Sequence, residues 1–154
     1  YLVQLDGDGQ HEPADIGKLL TAVMAGPDEI IFGSRFLSQT NYKPTFFRSL
    51  GIRLFRLLVL VLCGRRISDP TTGYQAMNNR VMGLFCSKYF PIDYPDADVI
   101  ILLSMAKIKF SEIPVRMYEK QGSKSMHSGF FHSIYYVFKL IMSMLLTRFR
   151  RFDL

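Results

Sequence analysis

Two carboxylates one residue apart, Asp6 and Asp8, follow an apolar run near the start of the chain, each with a glycine after it. Such a pair could hold Mg²⁺ or Mn²⁺, because these cations prefer oxygen ligands, usually take only one or two carboxylates and leave other positions to phosphate and water. A calcium loop of the EF-hand type would instead need Gly and Glu where His11 and Gly17 stand. The pattern therefore favours a cation that grips a diphosphate, and a solvated Asp-Gly turn is the alternative.

The positive charge of the chain is concentrated in one block. Nineteen Lys and Arg against 13 Asp and Glu give a net charge of +6, and no acid occurs between Ile30 and Ser68. The basic residues of this block are Arg35, Lys43, Arg48, Arg53, Arg56, Arg65 and Arg66. Such a block attracts phosphate, whether on nucleic acid, anionic lipid or a phosphorylated substrate. Nucleic-acid binding would explain the charge but neither the carboxylate pair nor the long apolar segments, so we expect no nucleic-acid partner.

The size, composition and cysteines of the chain indicate one ordered domain. Its 154 residues can bury a core, and 49% of them are apolar, which argues against disorder. Cys63 and Cys86 have no partners at metal-ligand spacing, so we expect a cytosolic protein with neither a zinc site nor a disulfide framework. No signal peptide and no starting methionine are visible, which suggests a fragment.

The first third of the chain has the order strand, loop, helix, strand. Tyr1–Leu5 is a short apolar run that ends at the carboxylates, as a buried strand would. Pro13 is placed to open a helix and Gly26 to end it, and Glu29–Gly33 predicts a second strand. This order implies a mainly parallel α/β sheet whose ligands gather at the carboxyl ends of the strands.

Four further helices and one further strand are predicted along the rest of the chain. The helices are expected at about Thr45–Cys63, Arg80–Ser87, Ala97–Lys107 and Phe130–Arg151, and the strand at Phe110–Tyr118. Asp69–Asn78 is rich in turn-forming residues and predicts a hairpin or loop. On the first of these helices three arginines span an arc of about 140° opposite an apolar face, which is typical of an interfacial helix.

Two basic features could contact phosphate near the carboxylates. Arg35 directly follows the second predicted strand, and its planar fork can bind an oxyanion at the same sheet edge. Lys120 and Lys124 flank a Gln-Gly-Ser stretch, where mobile small residues between cations are suited to closing over a diphosphate. A surface arginine and a solvated flexible loop are the alternatives.

Taken together and in this order, the motifs resemble those of the family 2 glycosyltransferases. Within that family the chain is similar to the branch of dolichyl-phosphate mannose synthase and the bacterial polyprenyl-phosphate glycosyltransferases. The matching stretches are "DGDGQHEP", "GSRF", "DPTTGYQAMN", "YPDADVIILL" and "EIPVRMYEKQGSKS". The resemblance implies a Rossmann-like nucleotide-sugar transferase fold of the GT-A type, with amphipathic helices at a membrane interface.

The resemblance also assigns residues to the sugar donor. Asp6 and Asp8 would bind Mg²⁺ or Mn²⁺ and, with Gln10, meet the diphosphate of a UDP- or GDP-sugar. Lys120 and Lys124 would lie on a loop that closes over this diphosphate. Many relatives have Arg at the first of these lysines, and Lys lacks the bidentate fork.

A second group of residues would serve the acceptor, a polyprenyl phosphate. Arg35 and Arg48 would contact its phosphate. Asp98, where many relatives have Glu, would act as a base or orient the acceptor, and a carboxylate favoured by a helix N-terminus is the alternative. Transfer would then be a single displacement with inversion, at the cytoplasmic face of a membrane and with peripheral or interfacial anchoring.

Enzymes of this family place a nucleoside-binding half before the strand that carries the two carboxylates. We therefore expect residues 1–154 to form a single partial catalytic domain, with an α/β core at 1–128, an interfacial helix at about 45–63 and a carboxyl-terminal amphipathic helix at 129–154. The isolated chain should be inactive and could self-associate through the exposed edge of its first strand.

A non-catalytic module that binds the membrane surface is the rival hypothesis. The final apolar segment, "GFFHSIYYVFKLIMSMLL", is near the minimum spanning length but contains His132 and Lys139. These two residues favour a helix that lies in the interface over one that crosses the bilayer.

Overall fold

The computed structural model describes residues 1–37, 46–91, 96–118 and 130–150. These residues form four strands and five helices around one small sheet. In chain order the elements are β1 (Leu2–Gln4), α1 (Ile16–Ala25), β2 (Ile30–Ser34), α2 (Phe46–Cys63), β3 (Gln75–Met77), α3 (Asn79–Phe85), α4 (Ala97–Met105), β4 (Phe110–Pro114) and α5 (Phe130–Phe149).

The sheet is mixed, so the prediction of a mainly parallel sheet was wrong. Its strand order is β1-β3-β2-β4, in which β3 is antiparallel to both of its neighbours and only β2 and β4 pair in parallel. The cause is Gln75–Met77, which was predicted to be part of a loop but is inserted between the two strands that precede it in sequence. All three of its residues are buried.

The helix after the carboxylates begins and ends where the sequence predicts. Pro13 opens a single 3₁₀ turn, whose first free N–H, that of Ala14, is bound by the Glu12 side chain at 3.2 Å. The α-helix follows directly and ends at Gly26, whose N–H donates to the carbonyl of Ala22 at 3.1 Å. The helix thus covers one face of the sheet with Leu19 among its buried residues.

Alternate residues of β2 point into two separate apolar layers. Ile30 and Phe32 pack with the inner sides of α2, α3, α4 and α5, while Ile31 packs with α1 on the opposite face. This alternation follows from the two-residue period of a strand. The sheet is therefore covered on both faces, and its ends remain for ligand binding.

α2 and α5 each bury one side and leave apolar residues on the other. On α2 the buried residues include Ile52, Phe55 and Val59, and on α5 they include Leu140 and Met144. The exposed large apolar residues of the two helices are Phe46, Leu50, Leu57, Leu60, Val61, Tyr135, Phe138, Met142, Leu146 and Phe149. Within the described ranges, neither of these helices nor any other meets the length and hydropathy needed to cross a bilayer.

The basic face predicted for α2 is only partly exposed. Arg48 and Arg53 are exposed, whereas Arg56 donates from Nε to the carbonyl of Ser68 at 2.7 Å and lies over the ring of Phe36. Arg56 is therefore used to hold the chain after α2 against the helix.

Candidate active site

The carboxylate pair lies in a turn directly after β1, at the edge where several strand ends meet. β1 is followed there by Asp6 and β2 by Arg35, while the antiparallel β3 begins there after Gly73 and Tyr74. β4 runs parallel to β2 and ends at the same edge. Because ligands bind at the carboxyl ends of strands in α/β sheets, this edge is the candidate active site.

Asp6 presents its carboxylate to solvent and has His11 and Gly73 as close neighbours. Its side chain is 64% exposed, and Nε2 of His11 lies 3.5 Å from its Oδ2. A Cβ atom at Gly73 would lie 2.9 Å from both carboxylate oxygens, so a larger residue there would displace the Asp6 carboxylate from this position. The hydrogen bond from His11 lowers the pKa of Asp6, and the charge of Arg35 lowers it further. The carboxylate is therefore ionised near neutral pH and accessible to a cation.

Asp8 shapes the turn that follows. Its Oδ1 accepts a hydrogen bond from the N–H of Gln10 at 3.1 Å, as in an Asx turn. Between them Gly9 has φ +77°, a left-handed conformation that glycine adopts without strain. Asp8 is otherwise exposed. The two carboxylates predicted to bind the cation thus share one turn, and cation binding by them stays a prediction.

The segment after β4 pairs with the end of this turn. The N–H of Tyr118 donates to the carbonyl of Gln10 at 2.8 Å, Nε2 of Gln10 donates to the carbonyl of Tyr118 at 3.2 Å, and the Tyr118 hydroxyl donates to Glu12. The amide nitrogen of Gln10 therefore holds this segment, and its predicted contact with the donor stays a prediction. Lys120, two residues after Tyr118, and Lys124 lie outside the described residues.

His11 is a residue of the site that the sequence reasoning missed. It is buried, its ring centroid lies 4.8 Å from that of Tyr74, and its backbone bridges to Met117. Its Nδ1 is buried with no hydrogen-bond partner among the described residues. The available signal was its place directly after the carboxylate turn, where it entered the analysis only as a mismatch to a calcium loop.

Arg35 is buried and forms a bidentate ion pair with Asp69. Its Nε donates to Oδ2 at 2.7 Å and its Nη2 to Oδ1 at 2.6 Å, and Nη2 also donates to Oγ1 of Thr71 at 2.9 Å. Asp69 is fully buried, so each of the two charges needs the other as its counter-charge. Arg35 therefore anchors the loop that leads to Gly73. Its predicted contact with an acceptor phosphate stays a prediction.

Glu112 on β4 holds the same loop from the other side. Its carboxylate accepts hydrogen bonds from the N–H of Ser68 at 2.6 Å, the hydroxyl of Ser68 at 2.9 Å and the N–H of Asp69 at 2.8 Å. The Ser68 hydroxyl also lies 2.6 Å from that of Ser34 at the end of β2. These bonds fix the Asp69 backbone and hence the position of the carboxylate that Arg35 binds.

Asp98 is fully buried in the first turn of α4. Its Oδ1 accepts from the N–H of Asp96 at 3.0 Å and its Oδ2 from the hydroxyl of Ser143 on α5 at 2.5 Å. Burial raises the pKa of its carboxyl. These contacts are those of the alternative reading, a carboxylate that stabilises a helix N-terminus, and the predicted role as a base stays a prediction.

Asp96 lies at the N-terminal end of α4, two residues before Asp98. It is half-buried and accepts a hydrogen bond from the hydroxyl of Tyr136 on α5. Burial raises the pKa of Asp96, the charge of Asp6 raises it further, and the charge of Arg35 lowers it. Burial likewise raises the pKa of Tyr136, while the charge of Arg48 lowers it. The charges of Asp6 and Arg35 thus act on Asp96, and that of Arg48 acts on Tyr136.

The oxygen ligands available at this edge suit Mg²⁺ or Mn²⁺. Over the part of the chain that the structure describes, no three His, Cys, Asp or Glu residues gather as a metal cage. A hexacoordinate cation held by one or two carboxylates, with phosphate and water at its other positions, needs no such cage. The exposed carboxylates of Asp6 and Asp8 fit that arrangement, and Gly73 leaves space for the first of them.

Comparison with known proteins gives several distant relatives, although no protein-family model matches the chain. An uncharacterized protein of Methanocaldococcus jannaschii is 23% identical over 146 residues, 92% of this chain and 59% of that protein. The UDP-N-acetylglucosamine–dolichyl-phosphate N-acetylglucosaminyltransferase of Methanococcus voltae is 22% identical over 116 residues, 74% of this chain and 46% of that one. The polyprenol monophosphomannose synthase of Mycolicibacterium smegmatis is 34% identical over 82 residues, 53% of this chain and 31% of that one.

The chain spans 59% or less of the length of these curated relatives. Two of them carry the name of a glycosyl-transferring enzyme, and the small mixed sheet with its flanking helices fits a glycosyltransferase-like fold. The relatives and the fold together support a likeness between this chain and glycosyltransferases of the family 2 type.

Proposed function

We propose that this chain carries the metal and acceptor side of an enzyme that transfers a sugar from a UDP- or GDP-sugar to a polyprenyl phosphate. The observation that carries the proposal is that β1 and β2 end at one sheet edge, where Asp6 is exposed and the charge of Arg35 lowers its pKa. The names of two relatives, which refer to dolichyl phosphate and to a polyprenol monophosphate sugar, supply the substrate class.

Asp6 and Asp8 are assigned to the donor side. An ionised and exposed pair can hold Mg²⁺ or Mn²⁺ against a diphosphate, and the cation then supplies neutralisation of the charge that grows on the leaving nucleoside diphosphate. Lys120 and Lys124 follow the segment that Gln10 holds, and their cationic side chains would bind the same diphosphate.

Arg48 is assigned to the acceptor side together with Arg35. The phosphate oxygen of the acceptor is already ionised near neutral pH, so the attack on the anomeric carbon needs little help from a general base. We therefore assign an orienting role to Asp98, whose carboxylate fixes the start of α4. Direct attack by this phosphate oxygen, with no covalent intermediate on the enzyme, is a single displacement that inverts the anomeric carbon.

The membrane surface is the proposed place of the reaction. A lipid phosphate stays at its bilayer, and the exposed apolar residues of α2 and α5 lie beside exposed arginines such as Arg53 and Arg148. Such surfaces bind the boundary between headgroups and acyl chains. We propose peripheral association at the cytoplasmic face. The same surfaces favour the second candidate, a non-catalytic membrane-binding module, and also the predicted self-association.

A transfer assay on the full-length protein separates these candidates. Labelled UDP- and GDP-sugars are supplied with Mg²⁺ and either a polyprenyl phosphate or the matching polyprenol. We expect transfer to the phosphate only. An absence of transfer with every donor, combined with binding to vesicles, would leave the non-catalytic module and refute the enzyme.

The acceptor assignment is tested by Arg48→Ala. Loss of a charge-assisted hydrogen bond should raise the KM for polyprenyl phosphate by about tenfold and leave the KM for the donor unchanged. The matched control is Arg53→Ala, which removes the same charge from an exposed position on the same helix. An increase confined to the KM for the donor would exchange the two assignments.

A further inference from the structure

Two side-chain hydrogen bonds connect α5 with the start of α4. The hydroxyl of Tyr136 donates to Asp96, and about two turns further along the same face of α5 the hydroxyl of Ser143 donates to Asp98 at 2.5 Å. The ring of Tyr136 also packs edge-on against Phe55 of α2, with the centroids 6.4 Å apart. Tyr136 is thus held by packing on one side and directs its hydroxyl to Asp96 on the other.

Asp96 occupies the N-cap position of α4, yet its side chain makes no capping hydrogen bond. A carboxylate at this position ordinarily accepts from the N–H groups of the first turn. Here the side chain of Asp98 accepts from the N–H of Asp96 at 3.0 Å, and the N–H of Val99 donates to the backbone carbonyl of Asp96 at 3.1 Å. The Asp96 carboxylate is therefore free of any part in the helix cap.

The Asp96 carboxylate also has acceptor capacity left over. Among the described residues its side chain has one hydrogen-bond donor, the hydroxyl of Tyr136. An ionised carboxylate offers about four lone-pair sites, so further donors can be taken up. The carbonyl after the last turn of α4, that of Ala106, accepts from Arg80, the partner of Glu29 at the far edge of the sheet, so Asp96 at the other end of α4 lies toward the edge that carries Asp6 and Arg35.

We propose that Tyr136 is a positioning residue that fixes the Asp96 carboxylate so that it accepts a hydroxyl group of the transferred sugar. The inference rests on the proposed function and deepens it. Sugar hydroxyls are neutral donors, which an oriented carboxylate binds strongly. In a transferase, the sugar lies between the donor diphosphate and the acceptor phosphate. Asp96 lies toward the same edge of the sheet as Asp6 and Arg35.

The first test is a kinetic double-mutant cycle in the full-length protein. Tyr136→Phe keeps the ring and removes the hydroxyl, and Asp96→Ala removes the carboxylate without removing a capping bond. We expect Tyr136→Phe to lower kcat by about tenfold, since one charge-assisted hydrogen bond is lost, with the KM for the acceptor unchanged. In the Asp96→Ala background the same substitution should have no further effect on kcat, because Tyr136 acts through Asp96.

Tyr135→Phe is the matched control, because it removes a hydroxyl from the neighbouring residue of α5, which is exposed. It should leave kcat unchanged. Equal effects of Tyr135→Phe and Tyr136→Phe, or additive effects of Tyr136→Phe and Asp96→Ala on kcat, would overturn the inference. Thermal unfolding of each variant identifies a loss of activity that arises from a loss of folded protein.

The second test does not depend on Tyr136 variants. Wild type and Asp96→Ala are compared on a panel of donors that each lack one sugar hydroxyl. One of these donors should be about tenfold poorer than the parent donor with wild type, and that ratio should fall to about one with Asp96→Ala. Ratios that are the same in both proteins for every donor would refute the sugar contact. A wild type that transfers no sugar would instead refute the proposed function itself.

Discussion

Asp69 and Asp6 lie near the same sheet edge and have opposite surroundings. Asp69 is fully buried and accepts three hydrogen bonds from Arg35, two from its guanidinium and one from its backbone N–H. Asp6 is largely exposed, and Nε2 of His11 lies 3.5 Å from its Oδ2. A carboxylate whose oxygens are all bound fixes structure, whereas one with free oxygens can accept a ligand. The comparison therefore separates the frame of the site, which is the buried pair of Arg35 and Asp69, from the exposed carboxylate of Asp6, which can bind a ligand.

The largest expected effect is on the frame. Asp69→Ala leaves the buried guanidinium of Arg35 without its counter-charge, which should lower the free energy of unfolding by about 3–5 kcal/mol. Denaturant unfolding of the full-length protein measures this loss. Asp28→Asn, at the opposite end of β2, is the control and should change stability little. A loss below 1 kcal/mol with Asp69→Ala, the range of an exposed pair, would show that the pair does not hold the site together.

An intermediate effect is expected at Gly73, which lies against the carboxylate of Asp6. In Gly73→Ala the new Cβ would lie 2.9 Å from the carboxylate oxygens of Asp6 and displace them. The affinity for Mn²⁺ should fall by about tenfold or more, as it does when a residue that orients a metal ligand is changed. Electron paramagnetic resonance of bound Mn²⁺ measures this affinity without any need for transfer activity.

The control for this prediction is Gly17→Ala on α1, where an added Cβ meets no atom within 4 Å. It should leave Mn²⁺ affinity unchanged. If both variants bound Mn²⁺ as wild type does, Asp6 would not be a ligand.

The smallest expected effect lies at the far edge of the sheet. Glu29 accepts from Nη1 of Arg80 at 2.7 Å and from the N–H of Lys109 at 3.2 Å. Although burial opposes it, the bonds from Arg80 and Lys109 leave the pKa of Glu29 lowered. A lowered pKa in the folded state means that this stability is present above the ordinary pKa of a glutamate and is lost as the pH falls through the lowered value.

Glu29→Gln should therefore cost at most about 1 kcal/mol at pH 7, since Arg80 is largely exposed and solvent screens the pair. The difference from wild type should shrink as the pH falls below about 4. Unfolding curves measured from pH 7 to pH 3 give this dependence. A difference that grew on acidification would contradict the assigned direction, and unchanged transfer activity is expected because the far edge takes no part in it.

The helices and most strands could be predicted from the sequence because they follow from local rules. Pro13 and Gly26 bound α1 by their backbone preferences, and the apolar spacing of α2 fixes its buried side. The order and relative directions of the strands in the sheet could not be predicted in the same way. Gln75–Met77 is a three-residue strand whose pairing with β1 and β2 depends on contacts more than 40 residues apart in sequence.

The sequence indicated several residues of the candidate site, but it did not indicate the contacts that these residues make. The carboxylate turn lies after a strand as expected, but the pairing of Arg35 with Asp69 depends on a loop that the sequence alone does not fold. Asp98 was named from its place in a motif that resembles the family's, and Asp96 was not considered. The contacts of both aspartates depend on α5, whose Tyr136 and Ser143 bind them from about 40 residues away in sequence.

The central claim is that the exposed carboxylate turn binds the cation used in sugar transfer, and Asp8→Asn tests it most directly. The substitution keeps the size of the side chain and an oxygen that can accept from Gln10, but removes the charge. Mg²⁺-dependent transfer to polyprenyl phosphate by the full-length protein should fall by about 100-fold or more, while thermal stability and the activity of Asp28→Asn stay at the wild-type level. Near-normal turnover by Asp8→Asn would contradict the account.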